Sequence, residues 1–195
     1  MPHSAYILAG GRSRRFGSDK ALATLAGQPL IVRLAGTLRA AGVLVTAVAD
    51  RPGRYDHLGI DTIADIEPGR GPVGGLHTAL HHNAGDWLVL VSCDMVALRP
   101  SWLAMLDGAR ARARASSAVA FRDRGGTRWQ PFPGLYHRDL LPLIEAGETR
   151  MQRLLDDGRA TAVPLPGDWP AVAQANTVDD LAHAARGLAR RSEAS

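Results

Sequence analysis

Two glycines followed by a run of cations is an arrangement suited to holding a polyphosphate. The stretch reads Leu8-Ala9-Gly10-Gly11-Arg12-Ser13-Arg14-Arg15-Phe16-Gly17-Ser18-Asp19-Lys20. Glycine carries no Cβ, so backbone N–H groups can approach anionic oxygens closely and point at them. Of the 23 lysines and arginines in the chain, only Lys20 is a lysine. An ammonium meets phosphate as a compact point charge, where a guanidinium meets it as a planar fork. A lone lysine closing such a loop is therefore a candidate phosphate ligand. The loop fits neither common nucleotide template. Asp19 directly before Lys20 breaks Gly-x-x-x-x-Gly-Lys-Ser/Thr, and Gly-x-Gly-x-x-Gly is absent. A P-loop NTPase and a dinucleotide-binding dehydrogenase are both disfavoured.

Asp94 follows the apolar run Trp87-Leu88-Val89-Leu90-Val91-Ser92-Cys93. Ligands of open α/β sheets bind beyond the carboxyl ends of strands. A carboxylate there can hold Mg²⁺ against a triphosphate, because Mg²⁺ takes oxygen ligands and keeps several waters. The plainer alternative is a helix-capping or surface carboxylate. Asp65 precedes a Gly- and Pro-rich loop and is either a ligand contact or an Asx-turn residue. The Gly71-Pro72-Val73-Gly74-Gly75 segment either brings backbone close to a ligand or turns into a helix. His77 and His81 are four apart and can share a helix face. With no Glu of a His-Glu-x-x-His motif and no third ligand nearby, the expectation for them and His82 is a surface or partner-contact role. Cys93 has no accompanying His pattern and reads as core.

The elements that must position these residues alternate. Tyr6–Ala9 reads as a buried strand halted by two glycines. Pro29 opens a helix over Leu30–Ala41 that Gly42 stops. Val43–Ala49 and Asp61–Ala64 read as strands, with a helix running from Gly71 through Leu76 and Leu80. Trp87–Ser92 is the clearest strand, and Pro100 begins a helix through Leu103 and Leu106. This alternation implies parallel strands with helical crossovers. The second half is less regular, with strands expected at Ala118–Phe121 and Phe132–Tyr136 and helices at Leu140–Glu145 and Met151–Asp156. A final helix follows Thr177, a good N-cap with Asp180 three residues later.

With 195 residues, 46% of them hydrophobic and 22% charged, the chain is expected to be one soluble domain over 1–188 with a flexible tail at 189–195. Its apolar runs are too short to span a bilayer. Met1-Pro2-His3-Ser4 lacks the features of a signal peptide, and a lone cysteine fits a reducing cytosol, so the expected location is cytoplasmic. A net charge of +4 and a sequence pI of about 10.0 invite a nucleic-acid reading. The arginines instead fall into separate short clusters at Arg12–Arg15, Arg110–Arg114, Arg122–Arg128 and Arg186–Arg191, so no specific nucleic-acid partner is expected.

From Leu8 to Lys20 the sequence resembles the MobA-type nucleotidyltransferase signature Leu-Ala-Gly-Gly-x-Ser-x-Arg-Met-Gly-x-Asp-Lys, departing only at Phe16. Ala23–Leu30, Asp65 with Gly71–Gly75, Trp87–Asp94 and Gln174-Ala175-Asn176-Thr177 resemble further segments of the family. The resemblance implies an α/β fold, a Rossmann-like three-layer nucleotidyltransferase domain with a mostly parallel central sheet. It implies transfer of GMP from GTP to the phosphate of Mo-molybdopterin, release of pyrophosphate, and Mg²⁺ as cofactor. It implies catalytic roles for Lys20, Arg15 and Asp94. Nucleotide binding falls to Leu8, Ala9, Gly10, Gly11, Lys20, Asp65 and Asp94, and metal binding to Asp94. Acceptor binding falls to Gly71, Gly75, Gln174 and Asn176, and Trp129-Gln130-Pro131 either lines the acceptor pocket or packs in the core. Beyond its two substrates, contact with molybdoenzyme chaperones or cofactor-insertion proteins is implied.

Besides Phe16, the chain departs from the family in three places. Met95-Val96 replaces x-Pro after Asp94, Gln174 replaces the usual Asn, and Val48 stands where the family often has an Asn whose role is not carried over. The alternatives are cytidylyltransfer to the same cofactor, transfer to another phosphorylated small molecule, or a non-catalytic nucleotide-binding regulator. Lys20, Arg15 and Asp94 together favour an enzyme, since a sensor need not keep both a metal carboxylate and a phosphate-facing cation set.

Overall fold

The first strand, β1 (Ser4–Leu8), runs out at Gly10 as expected of an apolar run halted by glycine. The computed structural model describes residues 1–10 and 19–192, so Gly11 and Arg15 lie outside the described residues. Asp19 leads a short 3-10 turn, Lys20–Leu22. A two-stranded ribbon follows, β2 (Thr24–Leu25) and β3 (Gln28–Pro29). Ala26 and Gly27 between them have φ of 51° and 78°, the left-handed pair that a two-residue hairpin needs.

Helix α1 (Leu30–Ala40) turns Leu30, Ile31, Leu34, Ala35 and Leu38 inward at helical spacing. Then come β4 (Leu44–Ala49), β5 (Asp61–Ala64), α2 (Gly71–His82), β6 (Trp87–Ser92) and α3 (Pro100–Arg112). The remainder is β7 (Ala118–Arg122), β8 (Trp129–His137), α4 (Leu141–Glu145), α5 (Met151–Asp157), β9 (Ala160–Pro164) and α6 (Val178–Ser192).

The main sheet has seven strands in the order β5-β4-β1-β6-β8-β7-β9. Only β8 among them runs against its neighbours, β6 and β7; the other pairs are parallel. On the sheet's two faces α1 touches α3, and α2 touches α4, which makes a three-layer α/β domain with a mostly parallel sheet. From β1 the chain builds outward to β4 and β5, then crosses back to lay β6 on the other side. That reversal is a topological switch point, where open α/β sheets leave a crevice at their carboxyl ends. The register puts Leu8 level with Val48 on one side and Ser92 on the other.

Strand β9 is absent from the expectations above. Its sequence, Ala160-Thr161-Ala162-Val163-Pro164, has little β-branched apolar character, and it is entered through Arg159 at φ 52°. Pairing parallel to β7 is what makes it a strand. Helix α6 begins as expected. Thr177 Oγ1 accepts from the Asp180 N–H at 3.1 Å and Asp180 Oδ2 accepts from the Thr177 N–H at 2.8 Å, a reciprocal cap. Its backbone continues to Ser192, past the boundary at 188. Among the described residues no helix is long and apolar enough to cross a membrane.

Candidate functional site

A cavity of about 310 Å³ opens at the switch point. Its wall takes Leu8 from the end of β1 with Ala9 and Gly10 just past it, Val48 from β4, and Ser92 from the end of β6 with Cys93 and Asp94 just past it. Two backbone bonds knit these strand ends together. The Ala9 N–H donates to the Val48 carbonyl at 2.9 Å, and the Cys93 N–H donates to the Leu8 carbonyl at 3.0 Å. At Gly10 an added Cβ would meet Ala49 backbone at an ordinary 3.7 Å, so the protein's own packing does not demand glycine there.

Lys20 and Asp94 meet at this wall although 74 residues separate them. Lys20 Nζ lies 2.9 Å from Asp94 Oδ2, and both side chains are largely buried, 13% and 14% exposed. Lys20 Nζ also donates to Asn176 Oδ1 at 3.4 Å. Gln174 Nε2 donates to the other Asp94 oxygen, Oδ1, at 3.2 Å. The 173–176 segment is fixed on the end of β6 by backbone bonds. The Val96 N–H donates to the Ala173 carbonyl at 3.0 Å and the Ala175 N–H to the Asp94 carbonyl at 2.9 Å. Met95 and Gln174 form an antiparallel bridge. Gln174 and Asn176 therefore stand beside Asp94 and Lys20. Two hard oxygens, from Asp94 and Asn176, converge on one cation, and that donor chemistry fits Mg²⁺.

Asp19 anchors the turn that carries Lys20. Its Oδ1 accepts from the Ala21 N–H at 3.0 Å. Its Oδ2 accepts from Arg54 Nη2 at 2.8 Å and from the Tyr55 hydroxyl at 2.9 Å. Arg54 also pairs with Asp50. Burial, with Asp19 accepting its hydrogen bond, pushes the Tyr55 phenol above its ordinary range. Arg54 and Tyr55 have no motif around them, and sequence reasoning does not find them.

Asp65 lines the same cavity and is also an Asx-turn residue. Its Oδ1 accepts from the Glu67 N–H at 3.0 Å and from Thr78 Oγ1 at 2.8 Å. The first two turns of α2 add Gly71, Pro72 and Gly75 to the wall. A Cβ at Gly75 would sit 2.7 Å from Leu8 Cδ2, so glycine here lets the helix close on β1. Phe132 of β8 also reaches the cavity. Trp129 does not line it. Trp129 is buried and donates Nε1–H to Asp156 Oδ1 at 2.7 Å, which settles that residue as core. Burial, reinforced by the neighbouring Asp94 carboxylate, pushes the Cys93 thiol up to about 12.

His81 and His82 keep to the surface as expected, and His77 does not. His82 is exposed and pairs with the Tyr6 hydroxyl at 2.9 Å. His77 is buried, not a surface residue, and a carboxylate missing from its sequence neighbourhood, Glu145, arrives from α4.

The sequence model of the MobA-like NTP transferase domain matches residues 5–162. A Deinococcus radiodurans protein named "Probable molybdenum cofactor guanylyltransferase" is 41% identical over 157 residues, 78% of this chain and 78% of that protein. The molybdenum cofactor guanylyltransferase of Serratia proteamaculans is 33% identical over 181 residues, 89% of each chain. The crystal structure of molybdopterin-guanine dinucleotide biosynthesis protein A from Archaeoglobus fulgidus has the same fold, with a TM-score of 0.79 at 20% identity over 96% of this chain and 99% of that one. A CMP:2-keto-3-deoxy-manno-octonic acid synthetase complexed with CTP gives a TM-score of 0.75 at 16% identity, covering 98% and 100%.

Proposed function

The chain belongs to the MobA-like NTP transferase family, and from that premise we propose that it is a molybdenum cofactor guanylyltransferase acting in the cytoplasm. The reaction is transfer of GMP from GTP to the terminal phosphate of Mo-molybdopterin. An acceptor phosphate oxygen attacks the α-phosphorus in line. A P–O bond forms there, the bond from the α-phosphorus to the bridging oxygen breaks, and its electron pair leaves on pyrophosphate. The attacking oxygen is already anionic, so no strong general base is needed. The protein's work is to hold two polyanions together and to oppose the charge that grows on the leaving group.

The observation that carries this reading is the meeting of Lys20 with Asp94 at the wall formed by Leu8, Ala9 and Gly10. In the proposal the backbone of Leu8–Gly10 seats the nucleotide, joined by Gly11. Asp65 and the N-terminal end of α2, with Gly71 and Gly75, close the other side. Lys20, joined by Arg15 on the strength of the sequence resemblance, faces the leaving pyrophosphate. Asp94, with Asn176 beside it, would hold Mg²⁺, which polarises the α-phosphate when bound. Gln174 orients Asp94 through its Oδ1, so we place Gln174 and Asn176 nearer the metal than the acceptor.

Pyrophosphate release tests this, measured with GTP, CTP or ATP, each with Mo-molybdopterin and Mg²⁺. Release with GTP is expected. A purine-edge hydrogen bond left unmade by the wrong base discriminates strongly. Release with CTP in its place moves the assignment to cytidylyltransfer, and nucleotide binding with no release under any pairing assigns a regulator.

A further inference from the structure

His77, His81 and Glu145 bring three metal-ligating atoms together on the α2–α4 contact, away from the cavity wall. We propose that this cluster is a transition-metal site of the Zn²⁺ class. The three atoms stand at the corners of one face of a coordination polyhedron. His77 Nε2 and His81 Nε2 are 3.1 Å apart, and Glu145 Oε1 lies 3.7 Å from the first and 3.6 Å from the second. Ligands about 2.05 Å from a tetrahedral Zn²⁺ are separated by about 3.3 Å, so each observed edge is within about 0.4 Å of that geometry.

The two imidazoles come from one helix at a four-residue spacing, and the carboxylate comes from a second helix, so the site exists only when the fold brings α4 onto α2. The ring tautomer suits ligation. His77 Nδ1 is buried and lies 3.0 Å from Glu67 Oε2, close enough to attract it but out of line for a hydrogen bond. In the proposal a small turn of the ring lets that carboxylate accept the Nδ1–H and leaves the Nε2 lone pair facing His81 and Glu145, the way a carboxylate behind a metal-bound histidine orients it. Glu67 is itself held anionic. The Arg70 guanidinium beside it keeps its carboxyl below the usual range. Arg70 reaches on to the carbonyls of Ile144 and Glu148, fixing the chain on either side of Glu145.

Among the described residues this is the cluster of His, Cys, Asp and Glu ligand atoms close enough to hold an ion. It is accessible from solvent, since the side chains of His81 and Glu145 are 48% and 55% exposed while His77 is buried beneath them. Three protein ligands leave a fourth position for water. Imidazole with a single carboxylate selects Zn²⁺, Co²⁺ or Ni²⁺ over Mg²⁺, so the site and the Asp94 oxygens take different ions.

The test is calorimetric titration of the metal-free protein with Zn²⁺, with Co²⁺ as a spectroscopic probe. Expected are saturable micromolar or tighter Zn²⁺ binding and visible d–d bands of four-coordinate Co²⁺. Excess Mg²⁺ should leave both unchanged. His81→Ala and Glu145→Gln are surface changes that should fold normally. Each should erase the Co²⁺ bands and weaken Zn²⁺ binding at least about tenfold, and Glu67→Gln should weaken it about 10–100-fold without removing a ligand. Absence of the bands, or Zn²⁺ binding that survives both ligand substitutions undiminished, overturns the proposal.

Discussion

Lys20→Met removes the ammonium and keeps most of the side chain's length. At 2.9 Å the Lys20–Asp94 attraction is about 6 kcal/mol gross at an effective dielectric of about 20. Desolvation of both groups cancels much of it. Removing one member of a buried pair leaves a net loss of about 3 kcal/mol. Water reaches Asp94, which is 14% exposed and keeps its bond from Gln174, so we expect about 2 kcal/mol. For a chain of this size that lowers the melting temperature by about 4–8 °C.

Two further effects have opposite signs. Turnover should fall about 10²-fold, the scale for losing one preorganised charge. Affinity of the nucleotide-free protein for Mn²⁺, used as a calorimetric probe of Asp94, should rise about tenfold, because the cation that competes for Oδ2 is gone. Mn²⁺ should accordingly restore part of the lost melting temperature in the variant. Lys20→Arg should also be impaired, since a fork does not fit between Asp94 and Asn176 as an ammonium does. Wild-type kinetics in both variants would refute the phosphate role, and an unchanged melting temperature in Lys20→Met would refute the pairing energetics.

Asp94→Asn should stay folded, because Gln174 can turn its amide to face the new group, yet lose at least about 10²-fold in Mg²⁺-dependent turnover; activity within a factor of about two at limiting Mg²⁺ would place the metal elsewhere. Gly75→Ala puts a Cβ 2.7 Å from Leu8 Cδ2. Leu8 must turn into the cavity, so GTP binding should weaken about tenfold with a stability loss of about 1–3 kcal/mol, read by calorimetry and thermal melting; unimpaired GTP affinity would show that Leu8 moves some other way. The Cys93 thiol, held up near 12, should alkylate with iodoacetamide at pH 8 at least about 10²-fold more slowly than in the urea-unfolded chain. The native chain keeps that proton while the unfolded one releases it near about 8.5, so this group's contribution to stability is full below that pH and declines as pH climbs toward 12.

The parallel half of the sheet was legible because β1, β4 and β6 are mostly apolar runs and all four strands, the short β5 included, soon meet a glycine or an aspartate. The reversed strand β8 was legible as a strand, but its direction was not, since nothing in Trp129–His137 encodes which neighbour it meets. β9 was invisible for the same reason, its conformation being imposed by β7. At the candidate site Gly10, Lys20 and Asp94 announce themselves by type and spacing, while Gly11 and Arg15 lie outside the described residues. Their supports do not. Arg54 and Tyr55 reach Asp19 from a loop 35 and 36 residues away, and Glu145 reaches the histidines from a separate helix. Such partners are chosen by three-dimensional proximity, and a linear pattern carries no trace of it.

The docking of residues 173–176 against the end of β6 has a consequence for biosynthesis. Lys20 and Asn176 are 156 positions apart, and Asn176 lies beyond residue 162, where the family match ends. A chain emerging from the ribosome can pair β1, β4, β5 and β6 and form most of the cavity wall while Asn176 is still untranslated. The oxygens that converge on Lys20 are completed last. Completion of the Lys20–Asp94 cluster thus waits on residues 173–176, and a chain lacking that segment would carry the cavity wall without the contacts that hold Asp94 in register.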